Sequence, residues 1–161
     1  MPMPNNFNMD LRIEYRRSFS VLGIQADVKQ GAEKPELFAT IWATFEKEIE
    51  VIESLSLNRK YYGVNFPAGK EEISEYLAGM MVSDDSPVPE GMVKRNIPGG
   101  DYAVFECPVE GIGMCYQNIF ITWLPASHMK FNPGNPVFEE YPEKDSSIPV
   151  RLHIPVELDT N

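Results

Sequence analysis

Pro136-Val137-Phe138-Glu139-Glu140-Tyr141 is a short apolar run carrying two adjacent carboxylates. Read as a β-strand, its side chains alternate between faces, so Glu139 shares a face with Val137 and Tyr141 while Glu140 sits with Phe138 on the other. A sheet with one buried face then turns one glutamate inward. A carboxylate among apolar and aromatic groups is costly unless a cation or hydrogen-bond donors meet it, which marks a candidate site for a cationic or polar guest. The competing reading is an edge strand whose two glutamates both reach water and act only as solubilising charge.

Working outward, Val150 to Val156 alternates with Val150, Leu152, Ile154 and Val156 inward, a final strand reached through the polar loop Glu143 to Ser147. Upstream, Asp101 to Cys107 reads as a strand introduced by the turn Pro98-Gly99-Gly100. Ile112, Tyr116, Ile119, Phe120, Trp123 and Leu124 mark a helix closed by Pro125. The first half has the same order. Leu11 to Ile24 reads as one long strand with a bulge or bend at Arg16-Arg17-Ser18. Glu33-Lys34-Pro35-Glu36 opens an amphipathic helix of about five turns, with Leu37, Phe38, Ile41, Trp42, Phe45, Ile49 and Ile52 on one face. Lys60 to Phe66, ended by Pro67-Ala68-Gly69, and Ile73 to Val82 form a hairpin. Ser83 to Gly91 is a Pro-rich linker. Strand, helix, strand, strand thus occurs twice, at about residues 10–82 and 92–157. The expected fold is α+β: a single domain over 1–161, duplicated β-α-β-β units with pseudo-two-fold symmetry, a largely antiparallel sheet with helices on one side, and a central ligand groove.

Composition narrows the function. The 161 residues carry 24 acids against 14 bases, a net charge of −10, with no basic cluster beyond Arg16-Arg17, so direct nucleic-acid binding is not expected. No segment approaches the ~20 apolar residues of a membrane span. Met1 to Asn6 lacks the features of an export signal, so cytoplasmic residence is expected. Cys107 and Cys115 read as small core residues rather than a disulfide or metal site, and His128 and His153 lack ligand spacing; no metal or cofactor is expected.

Several segments together resemble the gyrase-inhibitor-like (GyrI-like) effector-binding domains found in AraC-type and multidrug-sensing MerR-type transcription activators and as stand-alone proteins. They are Tyr62-Gly63-Val64, Tyr76-Leu77-Ala78-Gly79-Met80, Ile97 to Phe105, Trp123-Leu124-Pro125, Phe138-Glu139-Glu140-Tyr141 and Val150 to Val156. The resemblance runs from Leu11 to Val156 and implies an aromatic channel between the halves with a glutamate at its base, which falls on Glu139. Tyr62 and Tyr76 match pocket tyrosines of the family, and Trp42, Trp123, Tyr102 and Tyr141 are further candidate walls. Leu11 begins the effector-binding unit almost at once, leaving no room for a helix-turn-helix reader, so a transcriptional role is expected to need a separate partner.

The leading expectation is a stand-alone module binding amphipathic, cationic aromatic small molecules, with charge from Glu139 and stacking from the aromatic walls. One alternative is a hydrolase of reactive, cyclopropane-type alkylating molecules using the same glutamate as general base. No Ser/His/Asp or Cys/His arrangement accompanies it, and no catalytic residue is assigned. Another is a gyrase-inhibitor-like protein-interaction module working through the acidic surface.

Overall fold

Alternating apolar residues place two buried strands side by side at the centre of the molecule, and the rest of the chain wraps around them. The structure is a computed structural model that describes residues 11–29, 35–67, 73–142 and 148–158. The export-signal reading of Met1 to Asn6, the helix start at Glu33-Lys34, the turn residues Ala68-Gly69 and the loop Glu143 to Ser147 lie outside the described residues.

In chain order the strands are β1 (Leu11–Arg16), β2 (Phe19–Lys29), β3 (Tyr61–Asn65), β4 (Ile73–Val82), β5 (Val93–Ile97), β6 (Gly100–Cys107), β7 (Met129–Phe131), β8 (Val137–Tyr141) and β9 (Val150–Leu158). The helices are α1 (Pro35–Lys47), α2 (Ile49–Leu55) and α3 (Ile112–Gln117), the last running on through a wider turn over Asn118–Trp123 and ending at Leu124–Ala126. The fold is α+β with a nine-stranded sheet in the order β1-β6-β9-β8-β3-β4-β2-β5, with β7 added beside β9. All strand pairings among the described residues are antiparallel.

That order is symmetric about the β8–β3 junction, where β8 matches β3, β9 matches β4, β6 matches β2 and β1 matches β5. The symmetry refines the expected β-α-β-β unit, because each half begins with an extra strand that it lends to the other. β1 precedes β2 yet pairs with β6, and β5 precedes β6 yet pairs with β2. The register does not break across the exchange. Arg16 pairs with Gly100 and Phe19 with Ile97, so the two intervening residues on one segment, Arg17 and Ser18, match two on the other, Pro98 and Gly99. The long bent strand expected from Leu11 onward is therefore two strands in one ladder, interrupted at Arg17-Ser18. The interruption packs tightly: a Cβ on Gly99 would lie 2.9 Å from the Arg16 carbonyl oxygen.

Both helical layers lie on one face. α1 and α2 bury Ile41, Phe45 and Ile52 against Leu22, Ala78 and Met80, and α3 buries Ile119 against Phe105, Leu152 and Ile154. The single long helix expected over 35–53 is divided at Glu48, which leaves helical geometry at φ −107°, ψ 11° and lets α2 follow β4. The opposite face curls on itself, bringing Phe19, Tyr62, Tyr102 and Phe138 from four strands into one aromatic cluster without a helix. One expectation is corrected: Cys107 at the end of β6 and Cys115 in α3 are joined as a disulfide, with Cα atoms 6.6 Å apart. α3 folds straight back onto the strand that leads into it, so two residues that the sequence offered only as separate core positions meet.

Candidate functional site

At the β8–β3 junction the helices part, α1 on one side and α3 on the other. Register decides what faces this gap. Glu139 pairs with Gly63 and with Leu152, so it points to the helical face as strand alternation required. Gly63 has no side chain, and a Cβ there would collide with the Tyr76 hydroxyl and come within 2.9 Å of the Glu139 carboxylate. The glycine makes the space in which the two groups meet.

Glu139 is 5% exposed and is ringed by four donors. Its Oε1 accepts from the hydroxyls of Tyr141 (3.0 Å) and Tyr76 (3.3 Å), and its Oε2 from the Tyr116 hydroxyl (2.8 Å) and the Asn65 amide (3.1 Å). No ion pair joins it to a basic side chain among the described residues. Burial raises its pKa above the ordinary carboxylate value, and the four donors pull against that shift. The tyrosines are held neutral: burial first and the Glu139 charge second push Tyr76 and Tyr116 well above their ordinary value and raise Tyr141 in the same way.

Rings close the cage. Trp42 of α1 donates from Nε1 to the Tyr76 hydroxyl (3.1 Å) and meets Tyr141 edge-on at 5.6 Å, and Phe38, one turn earlier, meets Tyr76 edge-on at 5.0 Å. Beside the cage lies a cavity of about 420 Å³ lined by Phe38, Asn65, Phe131 and Val137 among others, within the size range of small-molecule sites. Asn65 is common to cage and cavity. A larger hollow, about 640 Å³, opens at the end of α2 around Leu57, Arg59 and Tyr61 and does not touch Glu139.

Of the residues singled out in the sequence, the structure brings Glu139, Tyr76, Tyr141 and Trp42 together. Tyr62, Tyr102 and Trp123 lie elsewhere. Tyr62 pairs with Glu140, so alternation sends it to the helix-free face, where it is fully buried, accepts from Asn58 (3.2 Å) and has its pKa pushed up to about 12 by burial and the Glu140 charge. Tyr102 sits in the same cluster and donates to the Pro98 carbonyl (3.0 Å). Trp123 packs edge-on against Phe105 at 4.9 Å beneath α3. Four residues of the cage, Phe38, Gly63, Asn65 and Tyr116, were not in the sequence-based site. Gly63 and Asn65 share Tyr61's side of β3, a signal readable from alternation once β3 is known to pair with β8. Tyr116 was read as part of the apolar stripe of its helix, and nothing local to it says otherwise.

The other glutamate anchors the strand from behind. Glu140, 2% exposed, accepts from Arg16 (2.9 Å) and Lys60 (3.3 Å). Burial alone would raise its pKa, but the hydrogen bond and charge of Arg16 and the charge of Lys60 outweigh it and hold the carboxyl below its ordinary value. Arg16 also lies over the rings of Phe19 and Phe138, at 5.1 and 5.6 Å from their centroids.

Comparison with known proteins agrees with this architecture. The family Cass2, described as integron-associated effector binding protein, matches residues 12–156. The transcriptional regulator BrlR of Pseudomonas aeruginosa is 29% identical over 156 residues; the match covers 92% of this chain but only 56% of BrlR. Among solved structures, SAV2435 bound to tetraphenylphosphonium superimposes with a TM-score of 0.78 at 16% identity, covering 92% of this chain and 94% of that one. An integron cassette protein from the mobile metagenome of Vibrio cholerae gives 0.67 at 20% identity, covering 95% and 100%. With residues 12–156 of its 161 matched, the chain belongs to the integron-associated effector binding protein family of GyrI-like domains.

Proposed function

We propose that this domain binds amphipathic, cationic aromatic small molecules against Glu139, with Tyr76, Tyr116, Tyr141 and Trp42 as ring walls. The observation that carries the reading is a buried carboxylate met only by neutral donors: Glu139 has four hydrogen bonds and no counter-charge among the described residues. An uncompensated buried anion is costly, and a cation entering the cavity beside it recovers part of that cost while gaining cation–π contacts of roughly 0.5–2 kcal/mol each. Family membership supports an effector-binding role, and a structural neighbour is described as bound to tetraphenylphosphonium, a cation of this chemistry. A link to transcription, through a DNA-binding partner or domain, is part of the proposal, as BrlR is a transcriptional regulator.

The hydrolytic alternative uses the same glutamate, yet a carboxylate has about four acceptor positions. All four are taken here, two on each oxygen, so accepting a proton from water would break one of these hydrogen bonds, which favours binding. The test is a titration with tetraphenylphosphonium followed by tryptophan fluorescence, with Trp42 as reporter. Glu139→Gln is expected to weaken binding at least about tenfold, or about 1.4 kcal/mol. Equal affinity of the two proteins, or equal affinity for an uncharged triphenyl analogue, would remove the charge from the mechanism.

A further inference from the structure

Among the described residues β1 is the last strand at its end of the sheet, paired with β6 on one side and with no strand on the other. At the opposite end the loop that leads into β5 is tied to it by a side chain, Lys94 donating to the carbonyls of Asp84 (2.7 Å) and Ser86 (2.8 Å). Among the described residues nothing comparable lies along β1. Its side chains are correspondingly exposed: Leu11 40%, Ile13 39% and Tyr15 71% line one face, and Arg12 and Glu14 lie on the other. An open edge with an apolar row is a template for another strand.

We infer that two copies of this chain associate edge to edge through antiparallel pairing of β1 with β1, centred on Ile13. The sequence of the edge selects the partner. With the two-fold axis at Ile13, Arg12 of one copy stands opposite Glu14 of the other, twice, while Leu11 stands opposite Tyr15 and Ile13 opposite its own copy. Arg12 and Glu14 each meet the opposite charge, and Leu11, Ile13 and Tyr15 each meet an apolar or aromatic side chain, on matching faces. Other registers fail. A one-residue slip sets Arg or Glu against Ile, and a two-fold axis at Arg12 or Glu14 stacks like charges. Glu14 is available for this pairing, having no partner among the described residues. Arg12 is half exposed, and its one ion pair among the described residues, to Glu106 at 3.3 Å, is shared with Arg151 at 3.8 Å. The pairing forms a continuous sheet across the two copies and leaves both Glu139 sites on helical faces away from the joint, so it stands independently of the proposed ligand.

The interface is small, and the net charge of −10 on each copy opposes it, so the association is weak and depends on concentration and salt. Sedimentation of the full chain over a concentration series tests it, with circular dichroism confirming that each variant is folded. The apparent mass of the wild type is expected to rise from 18.3 kDa towards twice that value. Glu14→Arg, which sets arginine opposite arginine, should hold the mass at the single-chain value. Adding Arg12→Glu to it, which reverses both charges and recreates the complementarity, should restore the rise. A wild type that stays at the single-chain mass up to its solubility limit overturns the inference. So does association that Glu14→Arg leaves unchanged, or a double variant that fails to recover it.

Discussion

His153 offers a quantitative check on how β8 is held from behind. It is 1% exposed, stacked on Phe138 at 4.2 Å with an 11° angle between rings, and its neighbours assign its protons. Arg16 Nη1 lies 3.2 Å from Nε2, and since arginine can only donate, Nε2 must be the acceptor; Nδ1 then carries the hydrogen and donates to the Arg151 carbonyl (3.3 Å). Burial above all, helped by the Arg16 and Arg151 charges and opposed by Glu140, lowers its pKa from 6.5 to about 3. Because the folded value is depressed, protons favour the unfolded chain: this contribution to stability is complete above pH 6.5 and is lost as pH falls towards 3. At pH 5 the loss is about 1.5 units, or roughly 2 kcal/mol. Substituting His153→Gln keeps an acceptor for Arg16 and removes the titration. Urea unfolding at pH 7 and pH 5 should show the wild type losing about 2 kcal/mol more than the variant, a difference of roughly 1 M in midpoint. Glu139, with a raised pKa, works in the opposite direction in both proteins and cancels in the comparison. Equal losses in the two proteins would refute the buried neutral imidazole.

The two faces of the sheet should separate in mutagenesis. Tyr116→Phe removes a 2.8 Å donor to Glu139 and is expected to change tetraphenylphosphonium affinity several-fold, whereas Tyr62→Phe, on the far face, should change unfolding free energy by about 1 kcal/mol and leave affinity alone. Binding should also weaken as pH falls through the raised Glu139 pKa, because the protonated acid offers no charge; isothermal titrations across pH 4 to 8 should show this slope in the wild type and a flat profile in Glu139→Gln. Reducing the Cys107–Cys115 bond with a dithiol frees α3 from β6 next to Tyr116, and should lower the melting temperature by about 5–10 °C for the loss of roughly 2–3 kcal/mol. If the protein resides in the cytoplasm as expected, where thiols are kept reduced, trapping with a thiol alkylator at lysis should find both cysteines free.

Local pattern was enough for several strands. The apolar run Ile73–Val82 coincides with β4, the strand read over Pro136–Tyr141 begins one residue later at Val137, and strand parity turned Glu139 and Glu140 to opposite faces before any coordinates. It also placed Tyr141 beside Glu139, because residues two apart on a strand share a face whatever surrounds them. Where apolar periodicity was weak, the reading failed: β5 carries Lys94-Arg95-Asn96 and β7 spans only three residues, so neither was read as a strand. Long-range pairing was beyond local pattern altogether. That β1 and β5 are exchanged between halves, that Gly63 stands opposite Glu139 and Tyr62 opposite Glu140, and that Cys115 reaches Cys107 are facts of register and helix docking between residues far apart or across a turn. The amino-acid order alone determined which side of its strand each glutamate takes, since that follows from covalent geometry. Only the tertiary structure decided what meets the inward one, because a ring of donors drawn from β3, β4, α3 and β8 exists only once those elements have packed.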